Sequence, residues 1–329
     1  MRFKRIFVSL FFVAGVLLGP ISLPGFAADT YPNKPIRLVV PFTPGGGTDI
    51  IARGVAQWLT KEWGQQVVVD NRPGGTTIVG TEIVAKSPAD GYTLLLASIS
   101  YSINPGVMKK LPYDPIKDLT AVAQTTFTPY LLAVNPSLPV RSVKELIAFA
   151  HAKPDLKLNY GSSGTGGGQH LAGELFKMQA KVPNLVHIPY RGTGPAITDL
   201  LGGHIQLMFS TILSMVEHVK AGSLRGLAVS CAKRVPSLPD LPTIGEAGVP
   251  GYEASSWNGI MAPSGVPAPI VAKLNKGINQ ALKSPEVRSK LEADGAQVVG
   301  GTPEEFNRLI RSDMQKWGKV ASAAGLRPE

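Results

Sequence analysis

Short apolar runs alternate with amphipathic stretches along most of the chain, and this pattern predicts alternating strands and helices. Strands are predicted at 36–40, 67–70, 92–97, 130–134, 157–160, 186–189, 205–209, 224–229 and 297–299. Helices are predicted at 48–63, 78–86, 143–152, 169–178, 195–201, 269–282, 285–294 and from 303 onward. Such alternation favours an α/β fold with a parallel sheet that helices cover on both faces.

The N-terminus has the pattern of a removable signal peptide. Basic residues within 2–5 precede an apolar run at 6–18, Pro20 and Pro24 follow, and Ala27 ends a stretch of small residues. We predict a signal peptide at 1–27, cleaved after Ala27, and export to the periplasm. The alternative, a membrane anchor, fits less well because the apolar run is shorter than the roughly 20 residues that span a bilayer.

Composition and charge narrow the class of partner. The chain has 329 residues, of which 44% are apolar, so it can build two domains of ordinary size. Its net charge of +10 falls to about +7 without the three basic residues of the leader, which favours anionic partners. The basic residues are scattered, so we expect no nucleic-acid binding. The lone Cys231 follows an apolar run and is expected to be a buried structural thiol.

Two glycine-rich turns carry the candidate chemistry. The turn at 41–49 reads P-F-T-P-G-G-G-T-D, and the turn at 161–168 reads G-S-S-G-T-G-G-G. Each follows a predicted strand and opens a helix, so backbone N–H groups at the positive end of a helix dipole are available to an oxyanion such as a carboxylate. The serines of 98–102 follow the strand at 92–97, at the sheet edge where open α/β proteins bind ligands.

The order of elements also predicts how the domains are divided. Two chain crossings, near residues 127 and 232, would make domain 1 discontinuous, with residues 28–127 and 233–329, and would leave 128–232 as domain 2. Both glycine-rich turns would then face a cleft between the domains. We expect the mature protein to be monomeric.

Sequence patterns of enzymes and metal sites are missing. The chain has no Gly-x-x-x-x-Gly-Lys-Ser/Thr, no Gly-x-Gly-x-x-Gly followed by a suitably placed acid, and no Gly-x-Ser-x-Gly. None of the five histidines is paired with a recognisable nucleophile. His170 and Glu174 could share a metal, but no third ligand has a useful spacing. We therefore predict a protein that is not an enzyme and needs no metal or cofactor.

Several segments occur in an order that carries a family resemblance. They are the turn at 41–49 with Arg53, N-R-P-G-G at 71–75, D-G-Y at 90–92, L-P-Y-D-P at 111–115, L-N-Y-G-S-S-G at 158–164, H-L-A-G-E at 170–174, P-Y-R-G at 189–192 and T-D-L-L at 198–201. Together they resemble the Bug family, the periplasmic solute receptors of tripartite tricarboxylate transporters. The similarity extends from about residue 30 to the C-terminus.

The resemblance implies a two-domain, periplasmic-binding-protein-like (type II) α/β fold with a ligand cleft between the domains. It also implies capture of a small carboxylate, whether dicarboxylate, tricarboxylate or aromatic carboxylate, for delivery to the membrane permease of such a transporter. An alternative is a carboxylate sensor that signals its closed state to a sensor kinase, and a weaker one is an exported enzyme. Matching positions imply these ligand-binding residues: Phe42, Thr43, Gly45, Gly46, Thr48, Asp49, Ser98, Ser100, Ser163, Thr165, Gly166, Gly167, Tyr190, Phe209 and Ser210.

Two departures from the family pattern bear on the ligand. Ser210 stands where the family often has an Asp, and Tyr101 stands where it often has a His. Loss of an acid from the cleft would ease the binding of a second negative charge, so we favour a dicarboxylate or an aromatic carboxylate over an amino acid. Asp49 either caps its helix or also receives a cationic group of a ligand. His170 is either a donor in the cleft or is satisfied by a nearby carbonyl.

Overall fold

The secondary structure largely follows the predicted alternation. The computed structural model describes residues 31–326, apart from 46, 191, 294 and 295, so the predicted signal peptide lies outside the described residues. The strands are β1 Ile36–Val40, β2 Val67–Asn71, β3 Thr93–Ser98, β4 Leu119–Val134, β5 Leu158–Ser162, β6 Leu185–Pro189, β7 Leu207–Thr211, β8 Arg225–Val229, β9 Ser255–Pro263 and β10 Gln297–Val298. The helices are α1 Gly47–Trp63, α2 Ile78–Ala85, α3 Ser100–Val107, α4 Val143–Ala152, α5 Gly168–Gln179, α6 Thr193–Leu201, α7 Ile212–Lys220, α8 Ala268–Lys283, α9 Pro285–Ala293 and α10 Pro303–Ala323.

The strands form one mixed sheet in the order β2-β1-β3-β9-β4-β7-β5-β6, with β8 and β10 paired to β4. Pairing is parallel between β1 and its neighbours β2 and β3, and between β5 and its neighbours β6 and β7. The prediction of a wholly parallel sheet is wrong at the centre, where β9 and β4 run antiparallel to their neighbours. The sequence pattern missed β9 and the first part of β4, so it missed the strands that reverse direction.

Strand β4 connects the two ends of the sheet. Its residues 119–129 pair with β9, and its residues 130–134 pair with β7 and β8. One half of the sheet therefore contains β1, β2, β3 and β9, and the other half contains β5, β6, β7 and β8. In both halves the carboxyl ends of parallel strands lead into helices: β1 into α1, β3 into α3, β5 into α5 and β7 into α7. Strand β3 runs in the same direction as β4, whereas β5 and β7 run in the opposite direction, so the carboxyl ends of the two halves point toward each other.

Helix α10 packs across the first half of the sheet through aromatic side chains. The rings of Trp257 and Phe306 meet edge to face, with centroids 5.2 Å apart. Trp257 also donates a hydrogen bond from Nε1 to Asp313 Oδ2 at 2.7 Å, and burial raises the pKa of that carboxyl group. Gly259 of β9 has to be glycine, because a Cβ there would lie 2.2 Å from Cζ of Phe306. This close packing explains why glycine interrupts a strand that the pattern failed to predict.

Two helices elsewhere in the structure begin with a side-chain cap, whereas α2 and α8 begin without one. Thr302 and Glu305 form a complete capping box at the start of α10, and the Ser142 side chain accepts a hydrogen bond from Glu145 N–H at the start of α4. Each of these caps joins residues three positions apart in the sequence. Within the described part of the chain, no helix is both long enough and apolar enough to cross a membrane.

Candidate functional site

The turn that links β5 to α5 owes its shape to its glycines. Gly164 and Gly166 have φ values of +148° and +76°, which favour glycine. A Cβ on Gly168 would lie 2.2 Å from the hydroxyl oxygen of Tyr130. Gly167 differs from these three, because its φ of −81° suits any residue and only two atoms lie within 4 Å of its ideal Cβ, at 3.6 Å or more. Its lack of a side chain is therefore required neither by the backbone nor by packing.

Gln169, at the start of α5, forms hydrogen bonds with the turn at 161–168, with β7 and with α6. Its Oε1 accepts a hydrogen bond from Ser163 N–H at 2.8 Å. Its Nε2 donates to Ser210 Oγ at 2.9 Å and to Thr193 Oγ1 at 3.2 Å. Gln169 is buried, so these bonds lie in a region where unpaired polar groups are costly. The side chain fixes the turn at 161–168 relative to β7 and α6.

Four helices begin where the strand ends of the two halves point toward each other, and none has a side-chain cap from its N-cap residue. The N-cap residues are Ile99 for α3, Gly167 for α5, Gly192 for α6 and Thr211 for α7, and none of their side chains bonds a first-turn N–H. The first N–H groups of a helix have no partner within the helix, so caps, water or a ligand must satisfy them. The capped helices α4 and α10 show that the chain uses side-chain caps elsewhere. The uncapped starts make this region suitable for an anion.

These helix starts lie around two adjacent cavities that share lining residues. The first, which we call the loop chamber, has a volume of about 450 Å³ and is lined by Phe42, Thr48, Thr76, Ser98, Ile99, Ser100, Tyr130, Ser163, Gly164, Thr165, Gly167, Gly168, Gln169, Thr193, Thr211 and Ser256. The second, the helix chamber, has a volume of about 330 Å³ and is lined by Gly47, Thr48, Ile51, Thr128, Thr193, Thr211, Ser214, Ser256, Asn258, Leu291 and Ala296.

The two chambers share Thr48, Thr193, Thr211 and Ser256. Their volumes are at the lower end of the range of small-molecule sites. Among the described residues, both walls consist of backbone, hydroxyl, amide and apolar groups, without a charged side chain. Any charge on a ligand would therefore be met by neutral hydrogen-bond donors and helix dipoles.

Seven of the residues predicted from the sequence line the loop chamber: Phe42, Thr48, Ser98, Ser100, Ser163, Thr165 and Gly167. Gly46 lies outside the described residues. The other seven lie beside the two chambers without lining them: Thr43, Gly45, Asp49, Gly166, Tyr190, Phe209 and Ser210. Their contact with a ligand stays a prediction.

Protein contacts occupy several of the residues that do not line the chambers. Phe209 is fully buried, with its ring centroid 5.6 Å from that of Phe176. Tyr190 donates its hydroxyl to Asp199 Oδ2 at 2.6 Å. Ser210 is fully buried and hydrogen-bonded to Gln169. Family motifs identify such positions, but they do not show which atoms point into the cavity.

Nine lining residues of the loop chamber were not predicted from the sequence: Thr76, Ile99, Tyr130, Gly164, Gly168, Gln169, Thr193, Thr211 and Ser256. Thr193 and Thr211 follow strands and precede or open helices, so the rule applied to the glycine-rich turns would have identified them. Ser256 had no such signal, because β9 was not predicted.

Asp49 lies in the first turn of α1, which begins at Gly47, and its carboxylate is only 3% exposed. It accepts hydrogen bonds from Gly45 N–H at 2.9 Å, from Arg53 Nε at 2.8 Å and from Asn71 Nδ2 at 2.9 Å. Burial alone would raise the pKa of Asp49, but the bonds from Arg53, Gly45 and Asn71 outweigh it and lower the pKa to about 2. Asp49 therefore does not cap its helix as predicted, because it lies inside the first turn, where its carboxylate binds the preceding turn, Arg53 and Asn71.

We expect Asp49→Asn to destabilise the fold by about 2 kcal/mol at pH 7, because the amide keeps the shape but loses the charge-assisted bonds. The folded pKa lies below that of the unfolded chain, so the stabilisation by Asp49 is present above about pH 4 and is lost as the pH falls toward 2. Urea unfolding of both proteins at pH 7 and pH 3 measures this. An equal difference in stability at the two pH values would contradict the explanation.

Two stacked histidines form hydrogen bonds with the turn at 161–168. The rings of His170 and His187 have centroids 3.6 Å apart. His170 Nδ1 accepts a hydrogen bond from Gly166 N–H at 3.0 Å, and His187 Nε2 lies 2.6 Å from Ser162 Oγ. His170 is thus satisfied by a backbone N–H of the turn, and neither of the two roles expected for it describes this contact.

Both rings are neutral at ordinary pH. Burial, with a smaller effect of His187 and Lys177, lowers the pKa of His170 to about 3, and burial lowers the pKa of His187 to about 4. His170 Nε2 lies 3.9 Å from Glu174 Oε1. The same oxygen accepts a hydrogen bond from the Tyr160 hydroxyl at 2.6 Å. Within the described residues, no group of three or more His, Cys, Asp or Glu side chains is arranged to hold a metal ion.

The fold and cavity are those of two-domain solute-binding proteins of the periplasmic type, and comparisons with known proteins agree. Residues 51–326 match the family described as tripartite tricarboxylate transporter family receptor. Protein BugT of Bordetella pertussis is 38% identical over 320 residues, which cover 97% of this chain and 96% of BugT. The chain therefore belongs to the tripartite tricarboxylate transporter receptor family, the Bug family of the sequence analysis.

Solved structures show the same fold. Rpa4515 of Rhodopseudomonas palustris, determined with adipate, is 41% identical with a TM-score of 0.80, covering 91% of this chain and 100% of that one. MatC from the same species, with bound malate, is 31% identical with a TM-score of 0.75, covering 88% and 99%. The family consists of solute-binding receptors rather than enzymes, and its relatives include periplasmic binding proteins.

Proposed function

We propose that this protein is a periplasmic receptor that captures a small carboxylate in the cavity and delivers it to the permease of a tripartite tricarboxylate transporter. The observation that carries the proposal is the set of four uncapped helix starts around a cavity without a charged side chain among its described lining residues. Unpaired N–H groups at helix starts favour an oxyanion. Adipate and malate in two relatives are carboxylates of the expected kind.

The start of α5 is the best-suited position for the carboxylate. Gly167 and Gly168 carry no side chain above the first turn, and that turn contains no acidic residue. The first turn of α1, in contrast, already holds the Asp49 carboxylate. Each hydrogen bond to a charged acceptor contributes about 1.5–3 kcal/mol. Three to four such bonds, reduced by the cost of ordering the ligand, are enough for micromolar affinity, about −8 kcal/mol.

Closure of two domains on the ligand completes the proposed mechanism. The proposed domains comprise residues 28–127 with 233–329, and residues 128–232. The change of partner of β4 after residue 129 supports a hinge close to the first limit. Lining residues come from both sides of that limit, for example Ser98 and Ser163. A ligand that bonds both domains makes its full set of contacts only in the closed form, so binding shifts the population toward closure.

A thermal-shift screen of residues 28–329 tests this function. We expect at least one carboxylate from a panel of mono-, di- and tricarboxylates to raise the midpoint, because a ligand at 100 times its Kd stabilises the folded state by about 2.7 kcal/mol. Amines and sugars of similar size serve as controls. Chemical turnover of a carboxylate without stabilisation would overturn the receptor proposal, as would stabilisation by the amines alone.

A further inference from the structure

The turn between β2 and α2 has an unusual backbone. Gly74, Gly75, Thr76 and Thr77 have φ values of +134°, +54°, +52° and +78°, so four consecutive residues have a positive φ. Glycine adopts such values readily, but threonine does so at a cost, because its branched side chain crowds the backbone. Among the described residues, Lys181 is the only other residue besides glycine with a positive φ. Two of the three strained positions therefore lie side by side in this turn, which we call the left-handed turn (residues 74–77).

Buried polar side chains hold the left-handed turn in this conformation. Asn104 of α3 is fully buried, and its Nδ2 donates hydrogen bonds to the Thr76 carbonyl at 2.9 Å and to Thr77 Oγ1 at 3.3 Å. A side-chain amide has two N–H donors, so both donors of Asn104 bind this turn. Thr81, which is also buried, donates its hydroxyl to the Thr77 carbonyl at 2.9 Å. A strained backbone persists only where surrounding contacts determine it, and such positions concentrate at ligand-binding sites.

The two threonines of the turn differ in what their side chains contact. Thr77 is buried, and its hydroxyl is bonded to Asn104. Thr76 is exposed and lines the loop chamber. Its carbonyl is bonded to Asn104, but its hydroxyl has no hydrogen-bond partner within the part of the chain that the structure describes. This hydroxyl can therefore bind a ligand without breaking a bond in the protein.

The fold itself does not require threonine at position 76. Glycine would adopt the same φ without strain, as it does at Gly74 and Gly75, and it would keep the carbonyl that Asn104 binds. The side chain of Thr76 makes the backbone less favourable and forms no hydrogen bond with the described residues. What threonine adds at this position is a hydroxyl group in the loop chamber.

We propose that Asn104 is a positioning residue of the carboxylate site. It holds the left-handed turn, and the turn holds the Thr76 hydroxyl in the loop chamber, where this hydroxyl donates a hydrogen bond to the bound carboxylate. The inference rests on the proposed function. Thr76 follows β2 in the first half of the sheet, so its bond adds a contact from that half to those proposed at the start of α5. Because the bond is made to the carboxylate group, it strengthens the binding of every carboxylate and does not select among them.

Substitutions at position 76 test the contact with the ligand. Thr76→Val keeps the branched shape and removes the hydroxyl, whereas Thr76→Ser keeps the hydroxyl. The probes are succinate, adipate, citrate, benzoate and any other acid that stabilises wild type in the screen, with affinities measured by calorimetry. For each probe that binds wild type, we expect Thr76→Val to weaken binding about tenfold, which is about 1.4 kcal/mol. Thr76→Ser should stay within about twofold of wild type, because it retains the donor.

Substitutions of Asn104 test whether it acts through Thr76. Asn104→Leu removes both donors at a similar side-chain size, and Asn104→Ala removes them without added bulk if leucine does not fit. We expect the folded variant to bind about tenfold more weakly in the wild-type background, but less than about twofold more weakly in the Thr76→Val background, because coupled residues are not additive. If Asn104 only stabilised the fold, its loss would lower the urea midpoint and leave the affinity of the folded protein unchanged.

Lys181→Gly is the matched control for backbone strain, because Lys181 has a φ of +55° and lines neither chamber. We expect Lys181→Gly and Thr76→Gly to leave the urea midpoint unchanged or to raise it, and only Thr76→Gly to weaken binding.

Two results would overturn the inference while leaving the receptor function in place. One is a folded Thr76→Val variant that binds every probe as wild type does. The other is an Asn104 variant whose affinity falls equally in both backgrounds or does not fall at all. The proposed function fails in a different way, since no carboxylate would then stabilise wild type. Unfolding curves for each variant separate a lost contact from a lost fold.

Discussion

Gly167→Leu is expected to lower the affinity for every carboxylate by at least about 100-fold while the protein stays folded. The new side chain would stand at the start of α5, in the loop chamber, where the carboxylate is proposed to meet unpaired N–H groups. Loss of two charge-assisted hydrogen bonds at about 1.5–3 kcal/mol each gives an effect of this size. Calorimetric titration of wild type and variant with the best ligand from the screen measures it.

Two comparisons make the Gly167 result specific. Gly166→Leu places a side chain at a φ of +76°, so we expect it to lower the free energy of unfolding as well as the affinity. Gly167→Leu, at a φ of −81°, should leave the free energy of unfolding within about 1 kcal/mol of wild type. Gly318→Leu on α10, where no atom lies within 4 Å of the ideal Cβ and which lines neither chamber, should leave the affinity unchanged. Normal binding by Gly167→Leu would place the carboxylate elsewhere in the cavity.

Sequence patterns predicted most helices because local signals determine where helices begin and end. The caps at Ser142 and Thr302 are examples, since each involves residues three positions apart. Strands β9 and the first part of β4 were missed because their support is not local. Gly259 in β9 is explained only by the ring of Phe306, which lies far along the chain. Without these strands, the reversal of direction at the centre of the sheet could not be predicted.

The candidate site was predicted at the level of turns rather than atoms. Ser163, Thr165 and Gly167 line the loop chamber as the motif suggested, but Gly166 turns its N–H toward His170. Strand β7 shows the same limit, since residues 207–210 are all buried and alternation cannot separate the cavity side from the core side. The second chamber had no sequence signal, because Ile51 and Leu291 also read as ordinary core residues of helices.

The stacking of the two histidines could not be predicted, because it joins residues on separate elements. It makes the stability of the fold depend on pH. His170 lies on α5 and His187 on β6, and only the folded chain stacks their rings. We expect the free energy of unfolding to fall between pH 7 and pH 5 by about 2 kcal/mol for each ring. The folded pKa values of about 3 and about 4 lie below the ordinary 6.5, so both histidines bind protons in the unfolded chain at pH values where the folded rings stay neutral.

The sign of this effect follows from the direction of both shifts. Stability is complete above about pH 6.5 and is lost as the pH falls toward the folded values. His170→Asn keeps an acceptor near the position of Nδ1 for Gly166 N–H, and His187→Gln keeps a polar atom near Nε2 for Ser162. Neither replacement titrates, so the double variant should lose about 4 kcal/mol less than wild type between pH 7 and pH 5 in urea unfolding.

The pH dependence of stability and the carboxylate affinity of the double variant together show whether the rings also shape the turn at 161–168. Glu174, Lys177 and Tyr160 face the pair and are retained in all variants. If the double variant loses as much stability between pH 7 and pH 5 as wild type does, other groups cause that loss. A smaller loss of stability between pH 7 and pH 5, with wild-type carboxylate affinity at pH 7, would show that the rings stabilise the fold without shaping the site. A smaller loss of stability together with a weaker carboxylate affinity at pH 7 would show that the Gly166 and Ser162 contacts also hold the turn in its binding geometry.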